Sequence, residues 1–238
     1  MRSSLNWSPQ GGPRVRVRDP HRLVTTPPSA PLSSGRGGAQ VVPRPASWRM
    51  GPPPPWAAGA VTALDEVLGY VRDTEQPLQP AFDGARASAV LVPLRVGSSG
   101  TEVLLTRRSQ SMRHHRGEIS FPGGRMDPGE TPLDTALREA HEEVGLDPDA
   151  VTVIGELDHL NTVVSRSYIV PKVAIVDAAV EVRPMTGELD RVMWVPLDEL
   201  VAGHTYHGEW WGMPPTDRLL HFFTLVDETV WGATGHML

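Results

Sequence analysis

Glu139, Glu142 and Glu143 place three carboxylates within five residues of one another. At about 100° per residue of a helix they share one flank, while Leu133, Ala136, Leu137, Ala140 and Val144 form a separate apolar stripe. Like charges at these spacings repel, by a few tenths of a kcal/mol per exposed pair. A divalent cation reverses the sign of that interaction. Hard oxygen ligands on one rigid surface suit Mg²⁺ or Mn²⁺, ions that also coordinate phosphate oxygens. A bare Glu-x-x-Glu-Glu is more often a solvated acidic face, so the surroundings decide. Gly124, Glu130, Arg138 and Gly145 recur around the trio in a fixed arrangement that chance seldom produces. Thr131 suits an N-cap, Pro132 the first helical position and Gly145 the left-handed residue past the last turn. In the turn Phe121-Pro-Gly-Gly-Arg125, the two glycines let backbone approach closely whatever the carboxylates hold.

The elements needed to position this helix are readable on either side of it. Ala87 to Val96 and Glu102 to Arg107 read as strands joined by the turn Gly97-Ser-Ser-Gly100. Further strands are expected at Gly117–Phe121, Val151–Leu157, Tyr168–Val176 and Arg191–Val195. Strands around one long helix imply an α/β or α+β sandwich. Upstream, Val61, Leu64, Val67, Leu68 and Val71 repeat at helical spacing and lead into a proline-marked linker ending near Pro80.

Composition bounds the chemistry. The 238 residues contain no cysteine, which removes disulfides, thiolate metal sites and cysteine nucleophiles. No apolar run reaches the roughly 20 residues needed to span a bilayer, so a soluble, cytoplasmic protein is expected, with no membrane partner. The net charge of -6 hides an asymmetry: residues 1–55 carry eight arginines and one acid, with 12 of the 24 prolines. That stretch shows no periodicity and reads as a disordered tail. It lacks the dense basic cluster and interleaved aromatics of a nucleic-acid arm. The expected organisation is therefore a tail over 1–55, a helix and linker over 56–80 and one domain over 81–238.

From Gly124 to Leu146 the chain resembles the Nudix box, matching its glycines, Glu130 and the Arg138-Glu139 and Glu142-Glu143 pairs. The resemblance implies the Nudix α/β/α sandwich with a mixed sheet and a catalytic loop-helix-loop. It also implies hydrolysis of a diphosphate assisted by Mg²⁺ or Mn²⁺. Glu139, Glu142 and Glu143 would be metal ligands, supported by Glu130 and Arg138, with the Gly123 or Gly124 carbonyl as a further ligand. The general base is open between Glu139, Glu142 and a loop acid from Glu181, Glu188 or Asp190, of which Glu188 is preferred. His141, at a variable position of the box, reads as a surface residue.

The segment from Leu104 to Gly124 is similar to the coenzyme A pyrophosphatase pattern of that superfamily. This implies cleavage of CoA or acyl-CoA to 3′,5′-ADP and (acyl-)4′-phosphopantetheine, a small nucleotide partner, and a monomer or homodimer. Arg108 and Arg113 would take phosphate oxygens, since guanidinium groups bind them in pairs; Arg107, Arg116 and Arg125 are weaker candidates. Another nucleoside diphosphate derivative (NADH, an ADP-sugar, a dinucleotide) or a non-catalytic binding module are the alternatives. Glu209-Trp-Trp211 and His221-Phe-Phe223 suit stacking on an adenine or shielding the site, and equally core packing or a dimer contact.

Overall fold

The computed structural model describes residues 36–238 apart from 39, 41, 57, 58, 81, 113, 114, 163 and 164. In chain order the elements are β1 (Arg49–Met50), α1 (Leu64–Val67), β2 (Arg86–Gly97), β3 (Gly100–Arg108), β4 (Ile119–Ser120), β5 (Gly123–Arg125), α2 (Pro132–Val144), β6 (Val151–Glu156), β7 (Leu160–Asn161), β8 (Ser167–Val176), β9 (Leu189–Pro196), α3 (Leu197–Leu200), β10 (Tyr206–Trp211), β11 (Arg218–Thr224), β12 (Thr229–Val230) and α4 (Gly232–Met237).

Eight strands form one mixed sheet. Its central run is β4-β3-β2-β8-β6, with β9 on β3, β5 on β2 and β7 on β8. The β2–β8 pair is parallel, from Arg86 opposite Ser167 to Leu94 opposite Ile175; the other pairings are antiparallel. Alternation along the strands sorts two cores onto opposite faces. Ala89, Leu91, Leu104, Val170 and Ala174 meet the α2 stripe of Ala136, Ala140 and Val144. Val92, Leu94, Val103, Leu105 and Val173 face the other way, against Tyr206, Phe223, Leu225 and Val230.

Of these, Tyr206, Phe223 and Val230 belong to a second sheet, of order β1-β10-β11-β12, which periodicity did not reveal, and Leu225 directly follows β11. Its aromatics are structural. Phe222 and Phe223 are fully buried, and Trp211 and Trp231 lie 5.8 Å apart against Phe222. Core packing therefore accounts for Phe222 and Phe223, whereas Trp210, Trp211 and His221 are half-buried.

Two expectations upstream need correction. The helix expected from Val61 to Val71 is one turn of α-helix followed by a 3-10 turn over Leu68–Tyr70. Gly69 interrupts it, and no residue of α1 is fully buried to hold a longer helix in place. The linker beyond is pinned to the sheet: Lys172, the only lysine and nearly buried, donates to Glu75 (3.0 Å) and Glu156 (2.8 Å), and Arg72 pairs with the backbone of Glu156.

Of the expected disordered tail, residues 1–35 lie outside the described residues, but the rest is anchored. Arg36 donates to Thr224 O (2.7 Å) and Thr205 Oγ1 (3.0 Å), Gly37 N to Leu225 O (2.8 Å), and β1 pairs with β10. Arg44 binds Glu209 through both Nε and Nη2 (2.9 and 2.7 Å). These partners stand 160 or more residues away in sequence, so composition alone hid them.

Candidate active site

The position of α2 is set at both ends. Thr131 Oγ1 accepts from Asp134 N (3.2 Å), and Asp134 returns the contact by accepting from Thr131 N (2.9 Å), a reciprocal capping box. Gly145, with φ 71°, closes the C-terminus in the left-handed conformation. The last turn is also covered by the 183–188 loop, where Arg183 N and Met185 N donate to Val144 O and Glu143 O.

Between these ends the three glutamates have different environments. Glu142 is more than half exposed, Glu139 is mostly covered and Glu143 is 9% exposed. Arg138 is the hub. Its Nε and Nη2 donate to the two oxygens of Glu130 (2.6 and 3.1 Å), and Nη1 donates to Glu139 (3.0 Å) and Glu142 (3.3 Å). The Arg138 bonds, with those from Thr135 Oγ1 and Asp127 N, hold the Glu130 carboxyl down at about 2. Glu130 is thus a fixed anion that orients Arg138.

Glu143 is pushed the other way. Burial raises its carboxyl to about 7 although Gly123 N donates to it at 3.1 Å; neighbouring Glu139 and Glu188 add to the rise and Arg108 opposes it. Glu139 is also raised by burial. A buried carboxylate without a direct cationic partner, Glu143, beside a mostly covered one that shares Arg138, Glu139, is a suitable setting for a cation. The glycine turn fits the same conclusion. A Cβ on Gly123 would meet Ala89 O at 2.5 Å, so only glycine lets the backbone lie against β2 there, and one on Gly124 would stand 2.3 Å from Glu139 Oε1 and displace that carboxylate. The donors fit a hard divalent ion. Among the described residues no three Asp, Glu or His side chains are drawn together as a finished metal cage; the guanidinium of Arg138 holds two of the trio instead.

Of the candidate phosphate-binding arginines, Arg108 is placed beside the trio, where its charge is felt at Glu143. Its Nη2 lies 3.2 Å from Glu188 Oε2, and its Nε is buried with no partner among the described residues. Arg113 lies outside the described residues. Arg107 is spoken for by Asp190 (2.6 Å) and Glu228 (2.7 Å), which also occupies Asp190. Arg116 donates to Met112 O in its own loop (2.5 Å). Arg125 is exposed, as are Glu181 and His141. The Gly123 N–H to Glu143 and the 183–188 loop escaped sequence reading. The doubled glycine was the only signal for the first; for the second the acids around Glu188 were noted, but not the loop's cover over the last turn of α2.

An acidic helix face thus lies beside a glycine turn and is backed by an arginine hub. The Nudix domain family matches residues 85–220, and the chain belongs to this family of hydrolases, which act on such anhydrides. It is 41% identical over 125 residues to Nudix hydrolase 3 of Caenorhabditis elegans, covering 50% of this chain and 51% of that protein, so it spans about half the length of this relative. It is 34% identical over 180 residues to an uncharacterized Nudix hydrolase, NudL, of Photorhabdus laumondii, covering 75% of this chain and 95% of that protein. Among solved structures, a C. elegans Ap4A hydrolase complex aligns at 23% identity with a TM-score of 0.42, over 49% of this chain and 85% of that one. Among the described residues no helix is long and apolar enough to cross a membrane.

Proposed function

We propose that the protein cleaves the diphosphate of CoA or acyl-CoA to 3′,5′-ADP and (acyl-)4′-phosphopantetheine. The diphosphatase reading is carried by one observation: buried Glu143, short of positive charge, lies on a helix whose other acids are organised by Arg138. The CoA reading rests on the pattern from Leu104 to Gly124. It is supported by the setting of Arg108, whose unpartnered Nε and charged head lie beside the acidic face.

In this reading Glu139, Glu142 and Glu143 hold Mg²⁺ or Mn²⁺. When bound, the cation supplies positive charge to the diphosphate oxygens and acidity to the attacking water. Gly123 N–H fixes the Glu143 carboxylate, and the Glu130–Arg138 pair keeps Glu139 and Glu142 from splaying apart. Arg108 binds a phosphate oxygen of the substrate. Water adds to phosphorus, the P–O bond of the anhydride breaks, and the water's proton passes to a carboxylate. Glu188 is our choice for that base, since it is held by Arg108 and its charge reaches Glu143.

The test is incubation with Mg²⁺ or Mn²⁺ and a panel of CoA, NADH, ADP-ribose and diadenosine polyphosphates, with products identified by mass. Selective release of 3′,5′-ADP supports the proposal. Turnover of the other substrates alone rejects CoA, and binding without any turnover points to a non-catalytic module.

A further inference from the structure

We propose that Gln40 is a positioning residue for the Ser109–Glu118 loop, so that the segment from Arg36 to Met50 is a working part of the substrate wall. The proposal rests on the reading that this loop, which begins at Arg108, faces the substrate. The loop is closed at its neck by two backbone bonds, Arg108 N to Glu118 O and Gly117 N to Arg108 O, each 3.0 Å. Ser109 N ties the same neck to Glu188 O at 2.7 Å. Gly117 sits at φ 64°, and a Cβ there would overlap the Gln110 carboxamide at 2.2 Å, so the loop is folded tightly on itself at this point.

The Gly117 carbonyl points out of this neck and accepts from Gln40 Nε2. Gln40 Oε1 is buried without a partner among the described residues, so the bond to Gly117 is the carboxamide's polar attachment. The residue stands midway between two fixed points. Four positions before it, Arg36 is bonded to Thr224 and Thr205; four positions after it, Arg44 is bonded to Glu209. Thr229 Oγ1 adds a bond to Gly37 O at 2.7 Å. With the chain anchored at Arg36 and at Arg44, Gln40 reaches the Gly117 carbonyl, and because Gly117 N donates to Arg108 O, its side chain acts on the backbone of Arg108. The second sheet thereby reaches the substrate loop by way of a segment that lies far outside the box.

The test uses the full chain with Gln40→Leu, which keeps bulk and removes the donor. Amide exchange at Arg108, Gly117 and Glu118 should quicken while α2 stays protected. With the hydrolysed substrate, KM should rise about three- to tenfold, the scale of one lost hydrogen bond, with kcat within about twofold. Gln40→Glu, which keeps the length but cannot donate when ionised, should reproduce both effects and serves in its place if the leucine variant fails to fold. Unchanged exchange at the neck overturns the proposal, and so does faster exchange with unchanged KM. Failure of the wild type to hydrolyse any diphosphate would reject the functional reading instead, and the exchange measurement would still decide whether Gln40 holds the neck.

Discussion

Replacing Arg44 with alanine should destabilise the protein in a way that depends on pH. Glu209 is 1% exposed and accepts from Arg44 Nε and Nη2, from Trp211 Nε1 (2.8 Å) and from His207 Nε2 (3.1 Å). Burial alone would raise its carboxyl; the bonds from His207, Arg44 and Trp211 more than offset this and hold it at about 2, against an ordinary value of 4.5. At 1.36 kcal/mol per pH unit, the net shift corresponds to about 3 kcal/mol, what the three donors leave after burial is offset. Arg44 is 35% exposed, so after screening its share is about 1 kcal/mol. Its guanidinium also lies 5.3 Å from the Trp48 ring and 5.5 Å from Phe222, contacts together on the order of 0.5 kcal/mol at a half-exposed site. The loss of about 1.5 kcal/mol should lower Tm at pH 7 by roughly 3–6 °C for a chain of this size.

A depressed carboxylate pKa contributes stability that is complete above the unfolded value of 4.5 and disappears as pH falls towards 2. Melting curves of wild type and Arg44→Ala from pH 7 to pH 2.5 should therefore draw together, leaving only the ring contacts, about 1–2 °C. Equal Tm values at pH 7, or a gap that stays constant down to pH 2.5, would refute the reasoning.

Glu143→Gln keeps the volume and an acceptor for Gly123 N–H, so the fold should survive, as judged by circular dichroism, while kcat drops on the order of a hundredfold or more. Gly124→Ala pushes a methyl against Glu139 Oε1; steady-state assays should show activity reduced roughly ten- to a hundredfold with a much smaller change in Tm. Thr131→Ala removes one half of the capping box and should cost about 1 kcal/mol, or roughly 2–4 °C in Tm.

What could be read from the residues in advance was local. Thr131, Pro132 and Gly145 mark the limits of α2 through interactions spanning three or four residues, and the structure places the helix between them. The supporting roles of Glu130 and Arg138, eight residues apart across the first turns of α2, came from the resemblance of the whole segment rather than from spacing. The carboxylates, by contrast, looked equivalent on a helical wheel. What separates buried Glu143 from exposed Glu142 is the glycine turn on one side and the 183–188 loop on the other, both supplied from elsewhere in the chain. Arg108 and Glu188 meet across 80 positions, and Arg44 and Glu209 across 165. No periodicity records such pairings. An arginine whose partner is that distant looks, on composition, like an arginine in a solvated tail.

The pairing of β1 with β10 also has a consequence for biosynthesis. Arg49 and Met50 lie opposite Trp210 and Glu209, so their partners are translated about 160 residues later. At roughly 5–20 residues per second, the segment from Arg36 to Met50 waits about 10–30 s outside the ribosome before its docking surface exists. During that interval α2, β2, β3 and β8 can already assemble, whereas β1 has no strand to pair with. The protein's earliest described residues are thus among the last to find their native contacts.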